Sequence, residues 1–139
     1  MLRRGIFEAG APAPMPSAAE RPVVVADDDR DVRVMLRTFL ELDGHEVVEA
    51  EDGEAAWRLI LQHRPLVVVA DIQMPGLDGL QLCRRIRESQ LDGVKVIVYT
   101  AGMATEAEAR SAGCDEYFLK TDPLPRLRET VRRYTRPRS

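Results

Sequence analysis

The sequence predicts an α/β protein in which a parallel sheet carries helices on both faces. Three observations lead there. Five short apolar runs alternate with helix-forming segments, giving a β-α unit five times over. The connections are short, so successive parallel strands must be joined by right-handed crossovers through those helices. Two of the runs, Val23–Ala26 and Val67–Ala70, are apolar at every position, which suits strands buried on both faces.

The elements follow in order. Residues 1–21 are rich in Ala and Pro and have no periodicity, and are read as a mostly disordered tail; an idle tail is favoured over a docking role for Ile6-Phe7. The first strand ends on Asp27-Asp28-Asp29. A helix follows with Val32, Met35, Leu36, Phe39 and Leu40 on one stripe, stopped by Gly44. His45 to Ala50 is the second strand, an exposed edge because Glu46 and Glu49 flank Val47-Val48. Asp52-Gly53 opens a helix ending near His63, with Ala56, Trp57 and Ile60 inward. Pro65 ends it, and the Val67–Ala70 strand runs into Asp71. Asp78 is read as the N-cap of the third helix, with Leu80, Cys83 and Ile86 inward. The fourth strand runs from Val94 to Tyr99 and ends on Thr100. Met103 to Ala112 is helical by composition but carries no Leu, Ile or Val. Glu116–Leu119 is the fifth strand, ending on Lys120. Asp122-Pro123 opens the last helix, with Leu124, Leu127, Val131 and Tyr134 as its stripe.

Length and composition bound the function. At 139 residues one domain is expected, 22–135, with a stub at 136–139. The balance of 23 acids and 20 bases, net −3, argues against nucleic acid or an anionic membrane as the main partner. Cys83 and Cys114 form no disulfide or zinc pattern and fit a reducing compartment. No apolar run approaches a membrane span, and Arg3 and Arg4 are followed by no apolar core, so a cytoplasmic location is expected. His45 and His63 are read as ordinary surface residues.

The chemistry lies at the strand ends. In a parallel sheet Asp27, Asp28, Asp71, Thr100 and Lys120 converge on one edge, where ligands bind in open α/β sheets. Three close carboxylates repel and favour a hard cation. Mg²⁺ binds through a few carboxylates and keeps several waters, leaving room for a phosphoryl oxygen. A lysine and a hydroxyl complete a clamp on a phosphoryl group.

Four motifs, Val25-Ala26-Asp27-Asp28-Asp29, Val69-Ala70-Asp71-Ile72-Gln73-Met74-Pro75-Gly76-Leu77-Asp78-Gly79, Val98-Tyr99-Thr100-Ala101 and Tyr117-Phe118-Leu119-Lys120, resemble the receiver domain of two-component response regulators. The likeness is to a single-domain regulator of the chemotaxis type and covers about Pro22 to Tyr134. It implies a flavodoxin-like (βα)5 fold with strand order 2-1-3-4-5. It implies that Asp71 accepts a phosphoryl group from a sensor histidine kinase, a phosphotransfer protein or a small donor. It implies that Asp27, Asp28, the Asp71 side chain and the Gln73 backbone carbonyl hold Mg²⁺. Lys120 then pairs with the phosphate, Thr100 bonds to it, and Tyr117 is the switch aromatic that turns inward when Thr100 moves. Self-phosphorylation and autodephosphorylation of Asp71 are expected, without conventional enzyme activity. With only a basic stub after Tyr134, output is expected through a downstream protein on the 103–134 face.

Three features depart from the family pattern. Thr121 stands where proline usually follows the site lysine, so a trans peptide and an altered loop are expected. The stretch from Thr100 to Lys120 is about two residues short, roughly half a helical turn. Gln73 and Gly102 flank the site at positions that tune phosphate loss in the family. Two rival readings stand beside this one. A degenerate receiver would act as a constitutive interaction module. A haloacid-dehalogenase-like phosphatase would use Asp27 and Asp29, but would leave Asp71 unexplained and lacks a later acidic pair and a cap domain. A P-loop nucleotidase fails for want of G-x-x-x-x-G-K-[ST].

Overall fold

The structure is a computed structural model that describes residues 21–136. The expected N-terminal tail, apart from Arg21, and the stub beyond Arg136 lie outside the described residues, as does Ile6-Phe7. The order is β1 (Val23–Ala26), α1 (Arg30–Leu42), β2 (Val47–Ala50), α2 (Gly53–His63), β3 (Val67–Ala70), α3 (Gly79–Glu88), β4 (Lys95–Thr100), α4 (Glu106–Ala112), β5 (Glu116–Leu119) and α5 (Leu124–Thr135). All strands pair in parallel, in the order β2-β1-β3-β4-β5, the flavodoxin-like topology expected.

Strand side chains alternate between faces, and this alternation builds two core layers. Val24, Val68, Ala70, Val96 and Val98 meet α2, α3 and α4 through Ile60, Leu82, Ile86 and Ala109. Val23, Val25, Val67, Val69 and Ile97 meet α1 and α5 through Leu36, Leu40, Leu127 and Val131. Each fully buried Leu, Ile or Val contributes about 1.5–3 kcal/mol of transfer free energy. Among the described residues no helix is long and apolar enough to cross a membrane.

Several local expectations are corrected. β2 begins at Val47 rather than His45. It is an edge strand, yet Val47 and Ala50 are buried and Glu49 is paired with Arg33 and Arg37. On α3 Leu82 is fully buried, whereas Leu80 only packs against the core from a half-buried position. Trp57 is likewise half-buried, with the Arg85 guanidinium 5.7 Å from its ring centroid. α4 starts three residues later than expected, capped by Thr105 and Glu108, and buries Ala109 and Ala112. Asp122 does not cap α5. The helix begins too late for its carboxylate, which instead accepts the Leu119 N–H at 2.8 Å and closes the turn after β5. His45 is not an ordinary surface residue: it is half-buried, its Nε2 has no hydrogen-bond partner, and burial lowers its pKa. Gly44 does sit past the end of α1, at φ +94°, where glycine alone is unstrained.

Candidate functional site

The site begins where the sheet ladder runs one residue past the strands. The Asp27 N–H donates to the Ala50 carbonyl at 3.0 Å, the Asp71 N–H to Ala26 at 2.9 Å, and the Lys120 N–H to Thr100 at 2.7 Å. These backbones are thus held as firmly as strand residues, while their side chains leave the sheet at one edge. The β3–α3 loop after Asp71 is pinned by Ile72 and Met74, both buried. It folds back so tightly that a Cβ on Gly79 would lie 2.2 Å from the Asp71 carbonyl oxygen. Only a residue without a side chain permits that approach.

Carboxylate oxygens of Asp27, Asp28 and Asp71 lie within 4.8 Å of one another. Asp27 and Asp71 are buried and Asp28 faces solvent. Lys120 Nζ sits 2.9 Å from Asp27 Oδ2 and 3.0 Å from Asp71 Oδ2. Asp27 Oδ1 accepts the Asp29 N–H at 2.8 Å, and Asp71 Oδ1 accepts the Gln73 N–H at 3.4 Å. Burial pushes the Asp27 pKa up, assisted by the nearby Asp71 charge and opposed by Lys120 and the Asp29 N–H. Burial alone would lower the Lys120 pKa; hydrogen bonds to Asp27 and Asp71 outweigh it and hold the ammonium above its usual value. Like charges gathered in a low-dielectric pocket favour a cation. Three carboxylates, two buried and one open to water, are a hard oxygen donor set, and they fit Mg²⁺.

Thr100 and Tyr117 lie on the neighbouring strands β4 and β5. Thr100 is fully buried at the end of β4, and its Oγ1 accepts the Gly102 N–H at 3.3 Å. Tyr117 is half-buried on β5, and its hydroxyl donates to the Ala104 carbonyl at 2.5 Å. Both therefore touch the β4–α4 loop. Among the described residues no peptide is cis, so the Lys120–Thr121 bond is trans as expected. The change at Thr121 does not turn the lysine away from the acids. Asp29 stands apart from the cluster: its side chain is exposed and caps α1 by accepting the Asp31 N–H at 2.9 Å. That removes the acid which the phosphatase reading required.

Sequence reasoning missed Arg33. Its Nη1 donates to the Asp27 carbonyl at 2.6 Å and its Nε to Glu49 Oε1 at 3.1 Å. A bond from a guanidinium to a backbone carbonyl leaves no signature in residue types, and an arginine on a polar helix stripe reads as solvated.

The sequence profile described as the response regulator receiver domain matches residues 23–132. Response regulator MprA of Mycolicibacterium vanbaalenii is 40% identical over 119 residues, covering 81% of this chain and 51% of that protein. Response regulator MprA of Mycobacterium avium is 38% identical over 121 residues, covering 83% and 52%. The chain thus spans about half the length of these curated relatives. Among solved structures, the receiver domain of Francisella response regulator 1452 has a TM-score of 0.77 at 32% identity, covering 83% of this chain and 96% of that one. Response regulator TrrA of Thermotoga maritima, solved in complex with Mg(2+)-BeF, has a TM-score of 0.74 at 31% identity, covering 82% and 98%. Profile, relatives, strand order and acidic edge agree: the chain belongs to the response regulator receiver domain family.

Proposed function

We propose that this receiver domain is a phosphorylation switch in which Asp71 is the phosphoacceptor. One observation carries the reading: Lys120 bridges Asp27 and Asp71 beside Asp28, so one ammonium and three carboxylates meet at a solvent-accessible edge. An Asp71 carboxylate oxygen attacks phosphorus. The new O–P bond forms an acyl phosphate as the P–N bond of a donor phosphohistidine breaks, and the leaving imidazole takes up a proton. Asp27, Asp28, the Asp71 side chain and the Gln73 carbonyl would hold Mg²⁺, which supplies charge neutralisation for the transferring group. Lys120 gives up its bridge and pairs with the phosphoryl oxygens, and the Thr100 hydroxyl donates to them.

Donor and target follow from the same reading. The donor is a sensor histidine kinase or a phosphotransfer protein. The added charge and acceptor oxygens draw on Thr100, shift the β4–α4 loop and change the tether between Tyr117 and Ala104, so that the populations of two arrangements change. A downstream protein then reads the 103–134 face, where a groove of about 550 Å³ opens between α4, β5 and α5 beside Arg110, Tyr117, Arg126 and Arg133. The reading places this domain in the cytoplasm and routes its output through that downstream protein.

Intact mass after incubation with Mg²⁺ and acetyl phosphate or phosphoramidate tests the reading. A metal-dependent gain of one phosphoryl group in the wild type, absent in Asp71→Asn, is expected. No gain, together with no beryllofluoride binding by the folded protein, would instead favour the constitutive interaction module.

A further inference from the structure

We infer that Arg33 is a positioning residue for the acidic pair, holding Asp27 and Asp28 in metal-binding register from outside the pocket. This rests on the reading of the site as a Mg²⁺ centre. Around Asp27 the hydrogen bonds form a closed ring. Asp27 Oδ1 accepts the Asp29 N–H, Asp29 caps α1 through the Asp31 N–H, and its carbonyl accepts the Arg33 N–H at 3.1 Å. From that first turn the Arg33 side chain folds back and donates to the Asp27 carbonyl at 2.6 Å. The backbone of Asp27 is then fixed on both sides, by Ala50 at its N–H and by Arg33 at its carbonyl.

The Arg33 side chain is itself locked. It is only 12% exposed, and Glu49 Oε1 accepts its Nε at 3.1 Å. The second oxygen of Glu49 is taken by Arg37 at 2.8 Å. A planar guanidinium suits this double duty, since its donors are fixed in a fork. Asp28 follows Asp27 directly and is exposed, and no hydrogen bond holds its side chain among the described residues. Its carboxylate is therefore aimed by the peptide plane that the Asp27 carbonyl shares with it, and Arg33 grips that plane. Outer residues of this kind orient the ligands of a metal, and their loss lowers metal affinity by about 10–100-fold.

The test is Mg²⁺ affinity, with Mg²⁺ alone titrated into the metal-free protein and followed by calorimetry and by the amide resonances of Asp27 and Asp28, with folding checked by thermal melts. Arg33→Met keeps the aliphatic stem and removes the donors; about tenfold weaker Mg²⁺ binding is expected. Arg33→Lys restores one donor and should recover part of the loss. Arg30→Ala removes an equal charge from an exposed position nearby, and should change affinity less than twofold. Equal affinity in wild type and Arg33→Met would overturn the inference while leaving the phosphorylation reading intact, and so would an Arg30→Ala loss as large as that of Arg33→Met. Failure of the wild type itself to bind Mg²⁺ would overturn the underlying reading, and the inference with it. Should Arg33→Met unfold, Glu49→Ala decides: it removes the acceptor of the Arg33 Nε–H without touching Asp27, and at least threefold weaker binding supports the role, whereas unchanged affinity refutes it.

Discussion

At the scale of single residues, the acidic edge is a balance between burial and pairing. Asp27 is nearly excluded from water, and its pKa rises because burial outweighs the help of Lys120. A carboxylate whose pKa is raised by burial disfavours the folded state once it ionises, so the ionised Asp27 carries a desolvation cost that Lys120 and the Asp29 N–H only partly offset. Gly79 belongs to the same balance in steric form. A methyl group there would meet the Asp71 carbonyl oxygen at 2.2 Å, a backbone atom, with no flexible side chain to yield. Gly79→Ala is expected to cost about 3 kcal/mol by overpacking, and to abolish beryllofluoride binding in whatever fraction stays folded. Urea titration and a beryllofluoride difference spectrum would check the two effects. Both acids were legible in the sequence because each directly follows an apolar run. The guanidinium grip on Asp27 was not, because it joins a side chain to a backbone atom.

At the scale of elements, the helices are fastened unequally. The end of α1 is tied to α5 by Asp43, which accepts two bonds from Arg128 at 2.7 and 2.9 Å and lies 3.3 Å from Arg132. The Arg128 hydrogen bonds hold the Asp43 carboxyl below its usual range despite burial. A depressed carboxylate contributes stability above its unfolded pKa and loses it as pH falls through the folded value. Arg128→Ala should therefore lower the urea midpoint at neutral pH and flatten the acid limb of the stability curve, because the variant has less of this contribution to lose. Parallel urea titrations between pH 7 and pH 3 would show it. α4 is held differently. Two alanines face the core, its N-terminal cap is built from its own Thr105 and Glu108, and its entry loop is tied to β5 by the Tyr117 hydroxyl. The absence of large apolar residues from this stretch agrees with a helix that buries only two alanines, though it did not reveal the late start. The capping box that sets that start depends on a reciprocal pair, and composition alone does not locate it. The same limit explains Asp122, whose carboxylate had a nearer N–H to satisfy at Leu119.

At the scale of the whole molecule, the topology was legible because runs apolar on both faces require a parallel sheet, and the convergence of Asp27, Asp71, Thr100 and Lys120 on one edge followed from it. The choice between Leu80 and Leu82 as the α3 core residue was not, since both lie within reach of an inward stripe until the packing of α2 and α4 is known. The gradient of anchoring across the sheet has an observable counterpart. Amide hydrogen exchange should be slowest at Asp27, Asp71 and the central strands, and fastest in the 101–112 segment, by several orders of magnitude in protection. Comparable rates in both regions would contradict the described packing. The ladder bonds that continue one rung past β1, β3 and β5 have a mechanical consequence. On the proposed phosphorylation reading, Asp71 is tied to the central strands by its ladder bond to Ala26, so its backbone is held while a charged group is added to its side chain. On that reading the change passes sideways, through Thr100 and the β4–α4 loop it touches, rather than through a shift of Asp71 itself.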